Sequence, residues 1–326
     1  MRFRVDPWDP SYGTGLDAEL GASHQEVDAA VERPVQDWAP VPPDARLAPP
    51  PVVLFVDGVR RVDAQVWLDE PVGAAPGLCA SYAAGVVRCG PGGARLDATY
   101  VRRGLFTTAA TPEDVTTTAG TYRAARVVEK PGTAPMQLLS LALQNALGEV
   151  ELFAAADARD REPGEEDLLV VDGPLRGRQH LARTIGFVKT HRSEYLPPEL
   201  GAVVARLGAG ERTPVFRLGT SWERHTWYLR LPCAVDTPWA GVVRVECSAD
   251  LPAAQVATLA SVSQVTLPRY ASTEYKDSRA PQNLYPIAGL ERGLRRRMGE
   301  QALVYRALRR AALATEPEGA LTPVRG

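Results

Sequence analysis

The sequence predicts an α/β domain in which a mixed β-sheet is flanked by helices. Three features indicate this class: a valine-rich strand that begins at residue 52, a long amphipathic helix over residues 136–160, and a short, wholly apolar strand over residues 168–172. Apolar strands of this kind are usually buried on both faces of a sheet. Because strands precede and follow the helix along the chain, the order favours one sheet covered by helices.

The composition is that of a soluble globular protein. The chain has 326 residues, which is enough for one large domain or two smaller ones. Hydrophobic residues make up 45% and charged residues 23%, so a sizeable core can be buried. Lys and Arg number 37 against 39 Asp and Glu, which gives a formal net charge of −2. A general attraction to nucleic acid is therefore not expected, and any basic surface must be local.

The sequence also indicates a location and excludes one class of metal site. The first residues, MRFRVDPWDP, have no apolar signal core, and no apolar run is long enough to cross a bilayer. We therefore expect a cytoplasmic protein without a membrane partner. The four cysteines form no CxxC pair and the four histidines lack helical ligand spacing. A zinc site or a histidine-built metal centre is therefore not predicted.

The N-terminal segment is predicted to be a helix followed by a linker. Residues 16–38 place apolar residues on one side of a polar helix. Residues 39–51, APVPPDARLAPPP, are rich in proline, which predicts an extended linker. We therefore divide the chain into an N-terminal helical extension with its linker, residues 1–50, and a main domain, residues 51–326.

The main domain begins with strands. Residues 52–58, VVLFVDG, are followed by VRRVDAQVWLDE, and this pattern predicts a hairpin that turns at Asp57 and Gly58. Further strands are predicted at residues 78–89 and 95–106. The clearest helix, over residues 136–160, has an apolar face at spacings of three and four, formed by Leu139, Leu143, Ala146, Leu147, Val150 and Phe153.

The second half of the main domain continues with strands and ends in helices. The strand LLVVDG ends at Asp172 and Gly173, and four strand-like runs follow: TIGFVKTHRSEYL, TPVFRL, RHTWYLRLP and WAGVVRVEC. Helices are predicted over residues 251–266 and 286–313. In the last helix, the apolar side that would pack on the sheet is formed by Leu290, Leu294, Met298 and Leu303.

Two apolar strands end in an aspartate, which predicts a carboxylate site. A two-metal phosphodiester hydrolase needs several carboxylates at one point, and oxygen ligands suit Mg²⁺ or Mn²⁺. Asp57 and Asp172 could supply two of them from neighbouring strands. Glu149 and Glu151 border the apolar face of the helix, and periodicity does not choose between them. The alternative is that each Asp-Gly pair is an ordinary tight turn.

The C-terminal region is locally basic. Seven arginines lie between residues 292 and 310. Such a set could contact the phosphates of a DNA backbone, and the affinity would then fall steeply as the salt concentration rises. We assign DNA contact to Arg292, Arg295 and Arg296. They could equally form the outer face of a helix packed on the sheet, and the two interpretations are compatible.

Several segments, in this order, resemble the NurA nuclease family, which acts with the HerA translocase in DNA end processing. The resemblance runs from about residue 50 to residue 315. It is carried by VVLFVDGVRR (52–61), DLLVVDGPLRG (167–177), IGFVKTHRSEYL (185–196), WYLRL (227–231), WAGVVRVE (239–246) and SRAPQNLYPIAGLERGLRRRMG (278–299).

The resemblance implies an RNase H-like fold, a homodimer, DNA cleavage with Mn²⁺ or Mg²⁺ as cofactor, and a HerA-like hexameric ATPase as partner. The family's ligand in its first strand falls on Asp57, and that in its later strand falls on Asp172. The helical glutamate falls on Glu149 or Glu151, with Glu149 preferred. The chain has no GxxxxGK[ST] motif, so the motor would have to be the partner.

The resemblance also gives roles to residues after the strand IGFV. Lys189 would hold a DNA phosphate beside the metals, with Arg192 near it, whereas the residues alone indicate a solvated loop. Tyr285 matches a family tyrosine, but the histidine or aspartate that follows it in some members is missing here. Glu291 is the closest acid to that place, and its alternative role is a surface ion pair with Arg295.

The sequence therefore predicts a metal-dependent DNA nuclease, an exonuclease acting on DNA ends. The alternative is a catalytically inactive subunit that clamps DNA or acts as a scaffold in a HerA-type complex. The distance between Asp57 and Asp172, and the presence of a third carboxylate beside them, discriminates between the two. Roles in DNA repair and in defence against foreign DNA both remain open.

Overall fold

The computed structural model describes residues 26–71, 73–161, 166–190, 195–234, 237–273, 275 and 279–315. The strands are β1 (Glu26–Asp28), β2 (Val52–Asp69), β3 (Ala74–Gly90), β4 (Gly93–Thr107), β5 (Val115–Thr117), β6 (Gly120–Arg126), β7 (Asp167–Asp172), β8 (Thr184–Val188), β9 (Phe216–Gly219), β10 (Glu223–Arg230) and β11 (Val242–Ser248). The helices are α1 (Pro135–Arg161), α2 (Pro198–Ala205), α3 (Ala253–Thr266), α4 (Tyr285–Arg297) and α5 (Gln301–Thr315).

The described strands form one mixed sheet in the order β1-β9-β10-β11-β8-β7-β2-β3-β4-β6-β5. Short connections join β2 to β3 and β3 to β4, and neighbouring strands joined in this way must run antiparallel. After α1, β7 pairs parallel to β2, and β8 pairs parallel to β7. The order β4-β3-β2-β7-β8 is the RNase H-like arrangement, and the predicted mixed sheet flanked by helices is confirmed.

The chain divides into two units. The first contains Met1–Asp57, Val86–Ala98 and Leu152–Leu290. Its core includes an aromatic cluster in which the ring centroids of Trp38 and Phe216 are 6.0 Å apart and those of Phe216 and Tyr228 are also 6.0 Å apart. Apolar residues of α2 pack on this cluster.

The second unit contains Gly58–Gly85, Thr99–Glu151 and Glu291–Gly326. In one part of its core, Leu139 and Leu143 of α1 pack against Leu78, Ala80 and Phe106. A second cluster contains Cys79, Leu105, Tyr122, Val304 and Leu308. The boundaries between the units fall inside β2, β3, β4, α1 and α4.

The predicted hairpin at Asp57 and Gly58 is wrong, because β2 continues without a turn to Asp69. Gly58 has a different purpose. A Cβ at this position would lie 2.7 Å from Leu147 Cδ1 and 2.9 Å from Glu151 Cγ, far inside normal contact distance. A side chain here would displace Leu147 and Glu151 where α1 approaches the strand, and the Asp-Gly pair is not a turn signal here.

The predicted helix over residues 16–38 is wrong over residues 26–38; residues 16–25 lie outside the described part of the chain. Val27 of β1 pairs with Leu218 at the edge of the sheet, and a short 3-10 helix follows at Val35–Asp37. Trp38 is buried, and its indole Nε1 donates a hydrogen bond to Ala29 O at 2.8 Å. Pro34 cannot continue a helix, and the edge pairing gives the segment another partner.

The predicted helix 136–160 matches α1, but Phe153 is 54% exposed and not on its buried face. Among the described residues, α1 is also the helix that is long and apolar enough to cross a membrane by length and composition. A core helix passes the same test, and Leu138, Leu139, Leu143 and Leu147 are buried in the protein.

The predicted C-terminal helix is two helices. α4 ends before Gly299, which adopts a φ of +84°, and α5 begins at Gln301. Leu290, Leu294 and Met298 are buried as predicted, whereas Leu303 is 52% exposed because the break changes the helical phase. Val304 and Leu308 form the buried side of α5 instead.

Candidate metal centre

Asp57 and Asp172 are brought together by the register of two parallel strands. Val56 of β2 is paired with Val171 of β7, so the next residue on each strand is an aspartate. Neighbouring strands lie about 4.8 Å apart, and equivalent residues of a parallel pair point to the same face. The apolar runs before both aspartates are fully buried, which fixes this register. Asp57 itself is only 8% exposed.

Glu291 of α4 adds a third carboxylate. Within the described part of the chain, Asp57, Asp172 and Glu291 form a group in which one carboxylate oxygen from each lies within 4.8 Å of the others. The Glu291 side chain is 14% exposed, and its Oε2 also accepts a hydrogen bond from Arg295 Nη2 at 3.3 Å. The two roles considered for Glu291 are therefore compatible.

The two glutamates of α1 occupy different surroundings. Glu149 is exposed, and its charge contributes to a raised pKa of Tyr82 that burial of the phenol mainly causes. Glu151 is partly buried against Gly58, the residue after Asp57. Neither belongs to the three-carboxylate group of the described residues. The helical phase of α1 thus turns Glu151, and not the preferred Glu149, towards β2.

Lys189 lies directly against the centre. Its Nζ donates to Asp172 Oδ2 at 2.6 Å, and its side chain is only 9% exposed. The ammonium also lies 6.0 Å from the centroid of the Phe187 ring. A lysine this well buried beside a carboxylate is held in place, in contrast to the solvated loop that the residues alone suggested.

The remaining predicted site residues do not belong to the three-carboxylate group of the described residues. Arg192 lies outside the described part of the chain. Tyr285 begins α4 and is 39% exposed, and its hydroxyl is 2.8 Å from Thr273 Oγ1. The predicted DNA contacts on α4 are all exposed: Arg292, Arg295 and Arg296.

Comparison with known proteins gives matches among solved structures. No protein-family model and no curated protein matches the chain. The NurA nuclease of Sulfolobus solfataricus is 12% identical, with a TM-score of 0.47, and the match covers 87% of this chain and 92% of that one. Endonuclease V of Bacillus subtilis is 14% identical, with a TM-score of 0.30 and coverage of 77% and 86%. The first is a member of the family that the sequence segments resemble.

Proposed function

We propose that this chain is a divalent-metal-dependent nuclease that hydrolyses phosphodiester bonds of DNA. The observation that supports the proposal is the convergence of Asp57, Asp172 and Glu291, with Lys189 bonded to one of them. Three carboxylates together are costly unless a cation compensates their charge. This arrangement also favours the enzyme over the inactive scaffold, because the scaffold has no need for converging acids.

The donors fit Mg²⁺ or Mn²⁺. All three groups are carboxylates, which are the ligands that these hard cations prefer. One carboxylate oxygen from each residue lies within 4.8 Å of the others, so side-chain rotation could bring all three to one cation. Asp57, Asp172 and Glu291 would hold the metal, and Glu151 or Glu149 remains the proposed additional ligand for a second ion.

The divalent ions, when bound, would supply Lewis acidity that activates water and stabilises the leaving 3′ oxygen, in the two-metal manner of such hydrolases. The chain's own groups would do the rest. The carboxylates fix the place of the reaction at the ends of buried strands. Lys189 would orient the Asp172 carboxylate and offset negative charge that develops on the scissile phosphate.

The exposed arginines of α4 would contact the DNA backbone. Arg292, Arg295 and Arg296 follow Glu291 on the same helix, so they would lie near a phosphate bound at the centre. We expect each Arg→Gln substitution to weaken binding on any DNA sequence and to reduce the slope of log K against log salt by about one. Fluorescence anisotropy with labelled DNA at several salt concentrations measures this slope.

The proposal includes an exonuclease that acts on DNA ends, forms a homodimer and works with a HerA-like hexameric ATPase. The resemblance of the sequence segments supports these finer points. Native mass spectrometry of the purified chain, alone and with a co-expressed HerA-like ATPase, tests both assemblies. A monomer that does not associate with the ATPase would contradict them.

Digestion of end-labelled linear DNA with Mn²⁺ tests the activity. The native chain is compared with Asp57→Asn and Asp172→Asn, and with Asp69→Asn as a matched control on an exposed aspartate of the same strand. We expect the first two variants to lose activity at least about 100-fold, because the carboxylate ligands are removed, and Asp69→Asn to retain it. Closed circular DNA should resist digestion by an exonuclease.

Circular dichroism confirms that each variant is folded. If native protein and all variants degrade DNA alike, the aspartates are not ligands and the proposal fails. If the folded native protein does not degrade DNA with Mn²⁺ or Mg²⁺, with or without the ATPase, the scaffold function replaces it.

A further inference from the structure

Glu246 is a fully buried carboxylate in the middle of β11. Its Oε2 lies 3.2 Å from Arg224 Nε and 3.5 Å from Arg244 Nη2, and both arginine side chains are less than 10% exposed. The guanidinium of Arg244 is also 4.8 Å from the ring centroid of Tyr195. One oxygen of Glu246 is thus directed towards the arginines, and the other is available for a different contact.

The other oxygen holds the backbone of the turn that follows Asp172. Leu175 N donates to Glu246 Oε1 at 2.6 Å, in a buried position. In the same turn, Gly173 has a φ of +98°, and its N–H donates to Phe187 O at 2.8 Å. The chain direction immediately after Asp172 is therefore set by two hydrogen bonds, one of them to a charged side chain, which is the stronger kind.

Gly186 makes this contact possible. It is paired with Glu246 across β8 and β11, and the turn after β7 folds over it. A Cβ at Gly186 would lie 2.9 Å from Glu246 Cγ, 2.9 Å from Gly173 O and 2.9 Å from Leu175 N. Any side chain here would push the glutamate and the turn apart, so the glycine is needed for close approach.

We propose that Glu246 is a positioning residue of the metal centre: through its bond to Leu175 N it holds the turn at residues 173–175 and so orients the Asp172 carboxylate. Its effect on metal binding rests on the proposed function, whereas its hold on the turn does not. Substitution of a residue that orients a metal ligand without touching the metal typically lowers metal affinity or activity 10- to 100-fold. Nothing in the sequence pattern of β11 marks Glu246 for this role.

Two variants disturb the contact from opposite sides. Glu246→Gln keeps the size of the side chain but places a neutral amide between the two arginines and weakens the bond to Leu175 N. Gly186→Ala leaves every charge in place and displaces the turn sterically. The matched control is Thr184→Val, which removes the partly buried hydrogen bond from Thr184 Oγ1 to Ala182 O at the start of β8.

Two readouts are made on each folded protein: hydrogen–deuterium exchange of the peptide that contains residues 173–178, and Mn²⁺ affinity from electron paramagnetic resonance of free Mn²⁺. We expect both turn variants to exchange at least about 10-fold faster in this peptide and to bind Mn²⁺ about 10- to 100-fold more weakly. Thr184→Val should change neither. Global unfolding in urea identifies a variant whose exchange rises everywhere.

Unchanged exchange in the turn would overturn the role of Glu246, and so would faster exchange with native Mn²⁺ affinity. If Glu246→Gln does not fold, Gly186→Ala alone decides, because it alters the same contact without loss of charge. A native protein that binds no Mn²⁺ would overturn the proposed function, while the exchange of the turn would still support or overturn the hold of Glu246 on it.

Discussion

Glu32 and the carboxylates of the metal centre are both shielded from solvent, but their partners differ. Arg212 donates to the two oxygens of Glu32 at 2.8 Å and 2.7 Å, and Val215 N donates to Oε2 at 2.7 Å. Burial alone would raise the pKa of Glu32, yet the hydrogen bonds and charge of Arg212 and the Val215 amide hold it below its ordinary value. This carboxylate is satisfied within the chain.

At the proposed metal centre, three carboxylates lie together, although Lys189 is bonded to Asp172 and Arg295 to Glu291. Oxygens of Asp57, Asp172 and Glu291 lie within 4.8 Å of one another, and at such distances carboxylates repel. We infer that the Glu32 pair stabilises the fold, whereas the proposed metal ligands repel one another until a cation binds. Sites that gather like charges are typical of function and limit how stable a protein becomes.

Breaking the Glu32 site should give the largest loss of stability. Arg212→Met leaves Glu32 buried without its bidentate partner, and we expect the free energy of unfolding to fall by about 3–5 kcal/mol. Urea unfolding followed by circular dichroism measures this change. Arg46→Met is the matched control, because Arg46 is paired with Asp44 entirely at the surface.

The double variant Glu32→Met with Arg212→Met should recover part of the loss, since no unpaired charge is left buried. If Arg212→Met is no less stable than Arg46→Met, the ion pair does not hold the N-terminal segment to the sheet. The claim that the Glu32 site stabilises the fold would then be contradicted.

Neutralising the metal centre should have the opposite effect. In EDTA, Asp57→Asn removes a negative charge from beside Asp172 and Glu291, and we expect relief of this repulsion to raise the free energy of unfolding by up to about 1 kcal/mol. With Mn²⁺ at about 100 times its Kd, the native protein should gain about 2.7 kcal/mol, and the variant should gain almost nothing. Thermal unfolding with and without Mn²⁺ measures both effects. A variant that is less stable in EDTA and still stabilised by Mn²⁺ would show that the carboxylates are structural.

The pH dependence of the Glu32 site should give the smallest effect. The pKa of Glu32 is lower in the folded chain than its ordinary value of 4.5. Its contribution to stability is therefore fully present above about pH 4.5 and is lost as the pH falls through the folded pKa. Urea unfolding is measured between about pH 3 and about pH 7, a range that spans the ordinary pKa of 4.5. The free energy of unfolding should change less with pH for Glu32→Gln than for the native chain. Identical profiles would contradict the pairing.

The sequence predicts the core of the sheet well because its signals are local. The apolar runs before Asp57 and Asp172 and the periodicity of α1 correspond to buried strands and a helix with Leu139 and Leu143 inside. Each run ends directly at its aspartate, and the pairing of Val56 with Val171 places both aspartates at the same level of the sheet. Glu151 and Glu149 could not be separated from periodicity alone, because the approach of α1 to Gly58 is a tertiary contact.

Other parts depend on contacts distant in sequence. Residues 26–28 join the sheet only because β9 offers an edge, so helical periodicity misleads there. Glu291 reaches the metal centre from the C-terminal helix α4, far along the chain from both aspartates. Asp57-Gly58 carries the composition of a turn, yet Gly58 serves close packing within a continuous strand.

Titration of the purified chain with Mn²⁺ by isothermal calorimetry, in native form and as Asp172→Asn, tests the metal centre most directly. Asp69→Asn again serves as the exposed control on β2. We predict that the native protein and Asp69→Asn bind Mn²⁺ saturably and that folded Asp172→Asn binds at least about 10-fold more weakly. Equal affinity of all three proteins, or no binding by the native chain, would contradict the assignment of these carboxylates to a metal site.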